Sequence, residues 1–545
     1  MILAFLSALV LFIIPLILGW VAVGKPKPTT TIILAVVSLV SFIMWKQHSP
    51  YPSPLNWDIW EHQTVINAIL SGHHAVFPSQ LSDTFGFTGY TTLFHYILAF
   101  PQYLFHPEIL GFWWASELYM TFLTSLAAYG LVRTITKNTT TALIAGVLSA
   151  LYFESSIVFT PYFVLPQTIA ALIWVFGFIA LIQANKKTIP WILGIFSILL
   201  MATHMIIGAA GILVYILFIV LNALEKRTTH QLMSIVTLLV PIAVYALLQY
   251  AGTMIPMETL NFGEAAHYIQ SIEKTFSDMQ GWYGLLPVII IPFGLLRIAQ
   301  SNVTPKATVL ITLFLTILAV VLSPLAYSMK FYVLFRYIFI LVIACGVQEL
   351  ITRIRNKKLI YIALTALVVT QFWILKTNIA TWQTPLFVRG VASHVASGEL
   401  EAITFIKHVY DSDTTAIVSD PATSYIYEAL SGINSFGGAY MKPENRTVIA
   451  QLQKEKTNDT FTTAITTLQD PIATTPIHTY LFIVSARYLE WTNATKEEQQ
   501  AFYFNVWRPR VFTVAHKTEI QTITETLGLQ PVFQNDTVVI FAVTK

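Results

Sequence analysis

The chain has 545 residues, of which 55% are apolar and 11% charged, and its formal net charge is +3. That balance excludes an ordinary soluble protein and points to a polytopic membrane protein, while a net charge so near zero argues against nucleic acid as a partner. The single cysteine, Cys345, lies in an apolar stretch, which excludes a disulfide framework and a cysteine-ligated metal cluster.

The first run, 2–23, lacks the basic start and small-residue cleavage site of a secretory signal and reads as a retained span. Further spans are predicted at 29–45, 109–133, 140–158, 164–184, 188–203, 205–224, 230–250, 282–300, 306–323, 331–350 and 358–377, making about twelve. Most approach the roughly 20 residues that a crossing helix needs. The stretch 90–105, with His95, Pro101 and Gln102, is compatible with spanning, re-entering or lying at the interface. Charge decides between these. If 90–105 does not cross, Arg133, Lys137, Lys186, Lys187, Lys226, Arg227, Arg297, Lys306 and Arg353 all fall on the cytoplasmic side, as the positive-inside rule demands. The N-terminus and the C-terminal part are then outside, in a multi-pass plasma-membrane protein. The acidic residues were no part of that choice, yet Asp58, Glu61, Asp83, Glu108, Glu117 and Glu154 all gather on the outer side, with His62, His95 and His204. Longer outer loops account for some of this. They do not account for Glu117, Glu154 and His204, which sit in or at the ends of apolar runs, where a polar group is costly.

The first outer loop, 46–108, begins with Pro50, Pro52 and Pro54, which keep it extended. Asn56 can cap a helix over 57–70, in which Trp57, Trp60, Val65, Ile66, Ile69 and Leu70 recur at helical spacing, and Gly72 ends it. This predicts an amphipathic helix at the membrane surface. On it Asp58, Glu61 and His62 share one face, being three and four residues apart. A carboxylate there is placed to act as a general base, since partial burial raises its pKa. The competing reading is that Asp58 caps the helix while Glu61 and His62 are solvated. Asp58 and His62 also have metal-ligand spacing, so a divalent metal is a third possibility, one that chelation would reveal; no other cofactor is implied.

In the loop 251–281, Glu264 and His267 are three residues apart on a candidate surface helix that is either simply solvated or serves as acceptor contact or lid. The stretch 328–337 opens a late span with Lys330 and Arg336, a point charge and a fork suited to phosphate oxygens. The alternatives are a snorkelling Lys330 and an Arg336 paired with a lipid headgroup. Tyr327, Tyr332 and Tyr337 read as interface aromatics. Beyond 379 the apolar bias ends. Residues 380–545 read as a small α/β domain, with strands at 415–419, 480–485, 531–534 and 538–543 and helices at 400–409 and 447–453.

With these elements in place, the chain resembles the GT-C superfamily of membrane glycosyltransferases, in particular the protein O-mannosyltransferases and lipid A aminoarabinose transferases. The resemblance lies in Asp58 opening a helix in the first outer loop, followed by Gly72 and Pro78, and in the basic, aromatic opening of the late span at Lys330 and Arg336. Two features depart from the pattern: the second acid is Glu61 rather than a neighbour of Asp58, and two spans rather than one precede the loop. The resemblance implies a GT-C-like module over 1–379 and an extracytoplasmic α/β domain over 380–545. It also implies inverting transfer of a sugar from a polyprenyl-phosphate donor to a lipid, glycan or protein acceptor, with Asp58 as base, Glu61 or His62 orienting it, and Lys330 and Arg336 holding the donor phosphate. A transporter or lipid flippase is the competing class, but no clear internal repeat is present and the polar groups lie to one side rather than at the midplane. A silent scaffold of the same fold is the third.

Overall fold

The computed structural model describes residue 6 and residues 26–46, 58–70, 93–152, 164–227, 229–254, 272–300, 303, 305–323, 331–354, 356–382, 395–436, 443–455, 457–468, 477–495 and 511–544. Its helical part runs α1 Pro28–Lys46, α2 Asp58–Leu70, α3 Leu93–Phe105, α4 Ile109–Thr136, α5 Thr139–Leu151, α6 Pro166–Gln183, α7 Ile189–Thr203, α8 Met205–Glu225, α9 His230–Met254, α10 Ile272–Tyr283, α11 Leu285–Gln300, α12 Ala307–Val321, α13 Tyr332–Arg353 and α14 Lys357–Trp382. Among the described residues, α4, α6, α8, α13 and most of α14 are long and apolar enough to cross a bilayer, and six shorter apolar helices accompany them. Most of the apolar runs read from the sequence coincide with helices; 282–300 is broken at Gly284, while 2–23 apart from Leu6, and 153–158 of the run 140–158, lie outside the described residues.

Local chemistry sets the boundaries. Glu108 caps α4 by accepting from the Leu110 and Gly111 amides, and Asn138 caps α5 by accepting from those of Thr140 and Thr141. Between them Lys137 turns the chain in a left-handed conformation, φ 57°, so α4 and α5 form a tight hairpin. Close approach inside the bundle relies on small residues. A Cβ on Gly294 of α11 would overlap the carbonyl oxygen of Val342 on α13, and one on Gly346 would come within 2.6 Å of the Ile290 carbonyl oxygen. Gly294→Val is therefore expected to lower stability by about 1–3 kcal/mol, the usual range for overpacking. The thermal midpoint of the detergent-solubilised chain measures it, and an unchanged midpoint would show that α11 and α13 can separate freely.

The C-terminal part is α15 Ser397–Val409, β1 Thr415–Val418, α16 Pro421–Ser431, α17 Pro443–Gln451, α18 Asn458–Thr466, β2 Thr479–Ser485, α19 Ala486–Thr492, α20 Val514–Leu527, β3 Pro531–Gln534 and β4 Val538–Thr544. The strands form one sheet in the order β1-β2-β4-β3, with β1 and β2 parallel and the other pairs antiparallel. Alternation along the strands builds two cores. Val418, Phe482, Val484 and Phe541 pack with Phe461, Tyr488 and Ile520, while Ile417, Leu481, Ile483 and Ile540 pack with Ile406 of α15 and Ile426 of α16. The second core does not stop at the domain edge: Trp60 of α2 and Leu110 of α4 belong to it. Across it, the Glu399 carboxylate and the Arg487 guanidinium form an ion pair at 2.8 Å with almost no exposure on either side.

Candidate active site

Helix α2 begins at Asp58 and is held between two partners, α3 on one side and α16 on the other. The sequence predicts a surface helix open to the membrane. Here instead Ile59, Trp60, Val65 and Ile66 are enclosed, because the C-terminal part covers the side left free by α3. The stretch 90–105 yields the 13-residue helix α3, too short to span; Phe94, His95, Leu98, Ala99, Pro101 and Gln102 are buried, whereas Tyr96, Phe100 and Tyr103 are exposed.

His62 is buried, and its Nδ1 lies 3.0 Å from Nε2 of His95, with the ring of Phe94 edge-on beside it. Two ring nitrogens at that distance need one N–H and one lone pair, so the two neutral imidazoles adopt complementary tautomers. Burial holds His62 well below its ordinary value, reinforced by His95 and then His204, and burial alone brings His95 down to about 3. The consequence for stability has a definite sign. Well above the unfolded value of 6.5 the neutral pair contributes in full. As pH falls from there towards about 3, the unfolded chain gains protons that the folded chain refuses, and stability drops. The expected slope is about 1.4 kcal/mol per pH unit per imidazole. Unfolding midpoints of the wild type and of the His62→Gln, His95→Gln double variant, measured between pH 7 and pH 5, check it: the variant's curve should be flatter.

Gln63, fully enclosed next to His62, is the centre of an amide cluster. Its Oε1 accepts from Trp113 Nε1 of α4 at 2.8 Å and from Gln102 Nε2 of α3 at 3.1 Å. Its Nε2 donates to Gln102 Oε1 at 3.0 Å and to Asn67 Oδ1 at 2.9 Å. Asn67 Nδ2 in turn donates to the Ala429 carbonyl oxygen of α16 at 2.8 Å. Reading the sequence for charged groups overlooks Gln63 and Asn67 and gives Gln102 no role; their signal was an uncharged amide on the packed faces of short apolar helices, which requires partners when buried.

The backbone places Asp58 and Glu61 at the first and fourth positions of α2, on the turn that leads to His62. Arg336 lies within the bundle, fully buried on α13, and donates to Ser149 Oγ at 2.9 Å and to the Ser149 carbonyl oxygen at 2.5 Å. Tyr332 and Tyr337 are also fully buried rather than interfacial, since α13 is surrounded by neighbours; Tyr332 hydrogen-bonds to the Tyr283 hydroxyl, and Tyr283 meets Tyr152 edge-on at 4.6 Å. Ser149 reaches the Thr124 carbonyl, eleven residues along α4 from Trp113, so Arg336 stands about 16 Å deeper in the bundle than the Gln63 cluster, at 1.5 Å per residue. Glu117, between those levels on α4, is completely enclosed, and His204 caps α8 by accepting from the Ile207 amide. Lys330, Glu264, His267, Glu154 and Tyr327 lie outside the described residues. Among the described residues no three of His, Cys, Asp and Glu come together as a metal site, and His62 already meets His95 through Nδ1.

No family model matches the sequence, and no curated protein sequence does. Solved structures do match the fold. The apo form of the Archaeoglobus fulgidus oligosaccharyltransferase has a TM-score of 0.51 at 10% identity, covering 90% of this chain and 73% of that one. The same enzyme with Zn and sulfate gives 0.51 at 11% identity, covering 83% of this chain and 67% of that one. Tethered by a disulfide to an acceptor peptide containing the NVT sequon, it gives 0.52 at 10% identity, covering 84% and 69%. At such identities the likeness is one of fold.

Proposed function

We propose that this chain, whose fold is that of the GT-C oligosaccharyltransferases, is a membrane glycosyltransferase that moves a sugar from a polyprenyl-phosphate-linked donor to an acceptor on the extracytoplasmic side. The observation that carries the reading is the match of fold across the bundle and the C-terminal part, with a helix that opens on a carboxylate lying where the two meet. In the reaction, the acceptor oxygen or nitrogen attacks the anomeric carbon as the bond from that carbon to the phosphate oxygen breaks, in one step with inversion. Asp58 takes the proton lost by the acceptor. Glu61 and His62 orient it from the same helix face, His62 with its tautomer set by His95. The donor phosphate leaves with growing negative charge. Lys330, two residues before α13, meets that charge, and Arg336 adds positive potential from deeper on the same helix. The related enzyme has been captured with an acceptor peptide, which favours a peptide as the first acceptor to try beside lipid and glycan hydroxyls.

The test is sugar transfer by the purified chain in nanodiscs, from polyprenyl-phosphate and polyprenyl-pyrophosphate sugars, with the anomeric configuration of the product read by NMR. Inverted product supports the proposal. Movement of the lipid donor between leaflets without any transfer supports the flippase instead.

A further inference from the structure

We propose that the C-terminal part clamps the helix that bears Asp58, with Gln63 and Asn67 as the positioning residues through which it acts; this rests on the glycosyltransferase reading of α2. An unbroken run of hydrogen bonds leads from Trp113 on α4, through Gln63 and Asn67 on α2, to Ala429 on α16, with Gln102 of α3 tied in at Gln63. Every hydrogen-bonding position of the Gln63 amide is used: two acceptances at Oε1 and two donations from Nε2. The contact on the C-terminal part is equally specific. Ala429 lies in the last turn of α16, where helix carbonyls have no partner along the helix, and Asn67 Nδ2 supplies one. One face of α2 therefore holds a side chain in the core of the C-terminal part, Trp60, and, two turns on, an amide bonded to its backbone.

Hydrogen bonds of this kind specify register. A shift of α2 by one residue would break all of them and withdraw Trp60 from its core, whereas apolar contacts alone would tolerate sliding. A base must stand within hydrogen-bond reach of the proton it takes, and misplacement by about 1 Å can cost about a hundredfold in rate. The clamp thus sets the position of Asp58 from residues on the same helix that need not touch substrate.

Asn67→Asp tests it in the full chain. The substitution is isosteric and keeps an acceptor for Gln63, but it replaces the donor to Ala429 with an acceptor. Turnover should fall about tenfold, the value of one good hydrogen bond, with KM for the lipid-linked donor unchanged. Amide hydrogen exchange over 58–70 should quicken while exchange over α13 stays the same. Asn67→Gln, which retains both functions of the amide, should recover part of the loss. Wild-type turnover in Asn67→Asp, or a raised KM with turnover intact, overturns the clamp. If the wild-type chain transfers no sugar from any lipid-linked donor, the glycosyltransferase reading fails instead. Exchange then decides the clamp alone: faster exchange over 58–70 in Asn67→Asp supports it, and unchanged exchange overturns it.

Discussion

Asp58→Asn is expected to remove sugar transfer and leave the fold untouched. General-base catalysis contributes about 10²–10⁴ to rate, so turnover should fall by that factor while donor affinity holds. The substitution is chosen because, beside metal ligation, the sequence leaves base and cap open for this carboxylate at the first position of α2. A carboxylate that only favours the helix start from its first turn is worth about 0.3–1 kcal/mol of stability and nothing to turnover, so such a residue would tolerate the change in the transfer assay. Asparagine cannot take a proton from the acceptor. Transfer by the variant at the wild-type rate, with an unchanged melting midpoint, would therefore refute the base and leave the cap. Loss of transfer at an unchanged midpoint establishes a chemical role.

The second large effect lies in the C-terminal part. Arg487→Met should cost about 3–5 kcal/mol, as expected when one partner of a buried ion pair is removed. The guanidinium is bonded to both oxygens of Glu399, at 2.8 and 2.9 Å. Asp420, also fully buried, caps α16 through the Ala422 and Thr423 amides. Burial pushes the pKa of both carboxyls up, while Arg487 pulls both down. Without the guanidinium, the enclosed Glu399 carboxyl loses its counter-charge while Asp420, which also raises its pKa, stays nearby. The unfolding midpoint of the full chain reads the loss. The double variant Glu399→Gln, Arg487→Met should recover part of it, because it removes a charge as well as its counter-charge.

Much of the bundle was legible in the sequence, since each crossing helix must satisfy its own backbone and so announces itself as an apolar run. The central strands of the C-terminal part were equally legible as short runs of β-branched and aromatic residues: the expected 480–485 and 538–543 appear as Thr479–Ser485 and Val538–Thr544. The position of Asp58 at the head of a helix was readable too. What encloses that helix was not. Its apolar residues were attributed to the bilayer, because periodicity reports that a face is buried and not what buries it. The cover is α16, and Asn67 meets Ala429 across 362 residues of chain. The pairing of His62 with His95 was hidden for the same reason, as each imidazole read singly looks like a solvated or catalytic group. The hydrogen bonds of Arg336 to Ser149 come from the packing of α5 against α13, which local pattern does not encode.

The position of Trp60 bears on how such proteins can be recombined. An indole from the first loop completes a core made otherwise almost entirely of residues beyond 394, with Leu110 beside it. A chimera that swaps the C-terminal part at the end of α14 would therefore cut through that core, leaving the donor's domain with a hole and the recipient's loop with an unhoused tryptophan. The exchangeable unit is discontinuous: the C-terminal part travels with 58–70 and the first turn of α4.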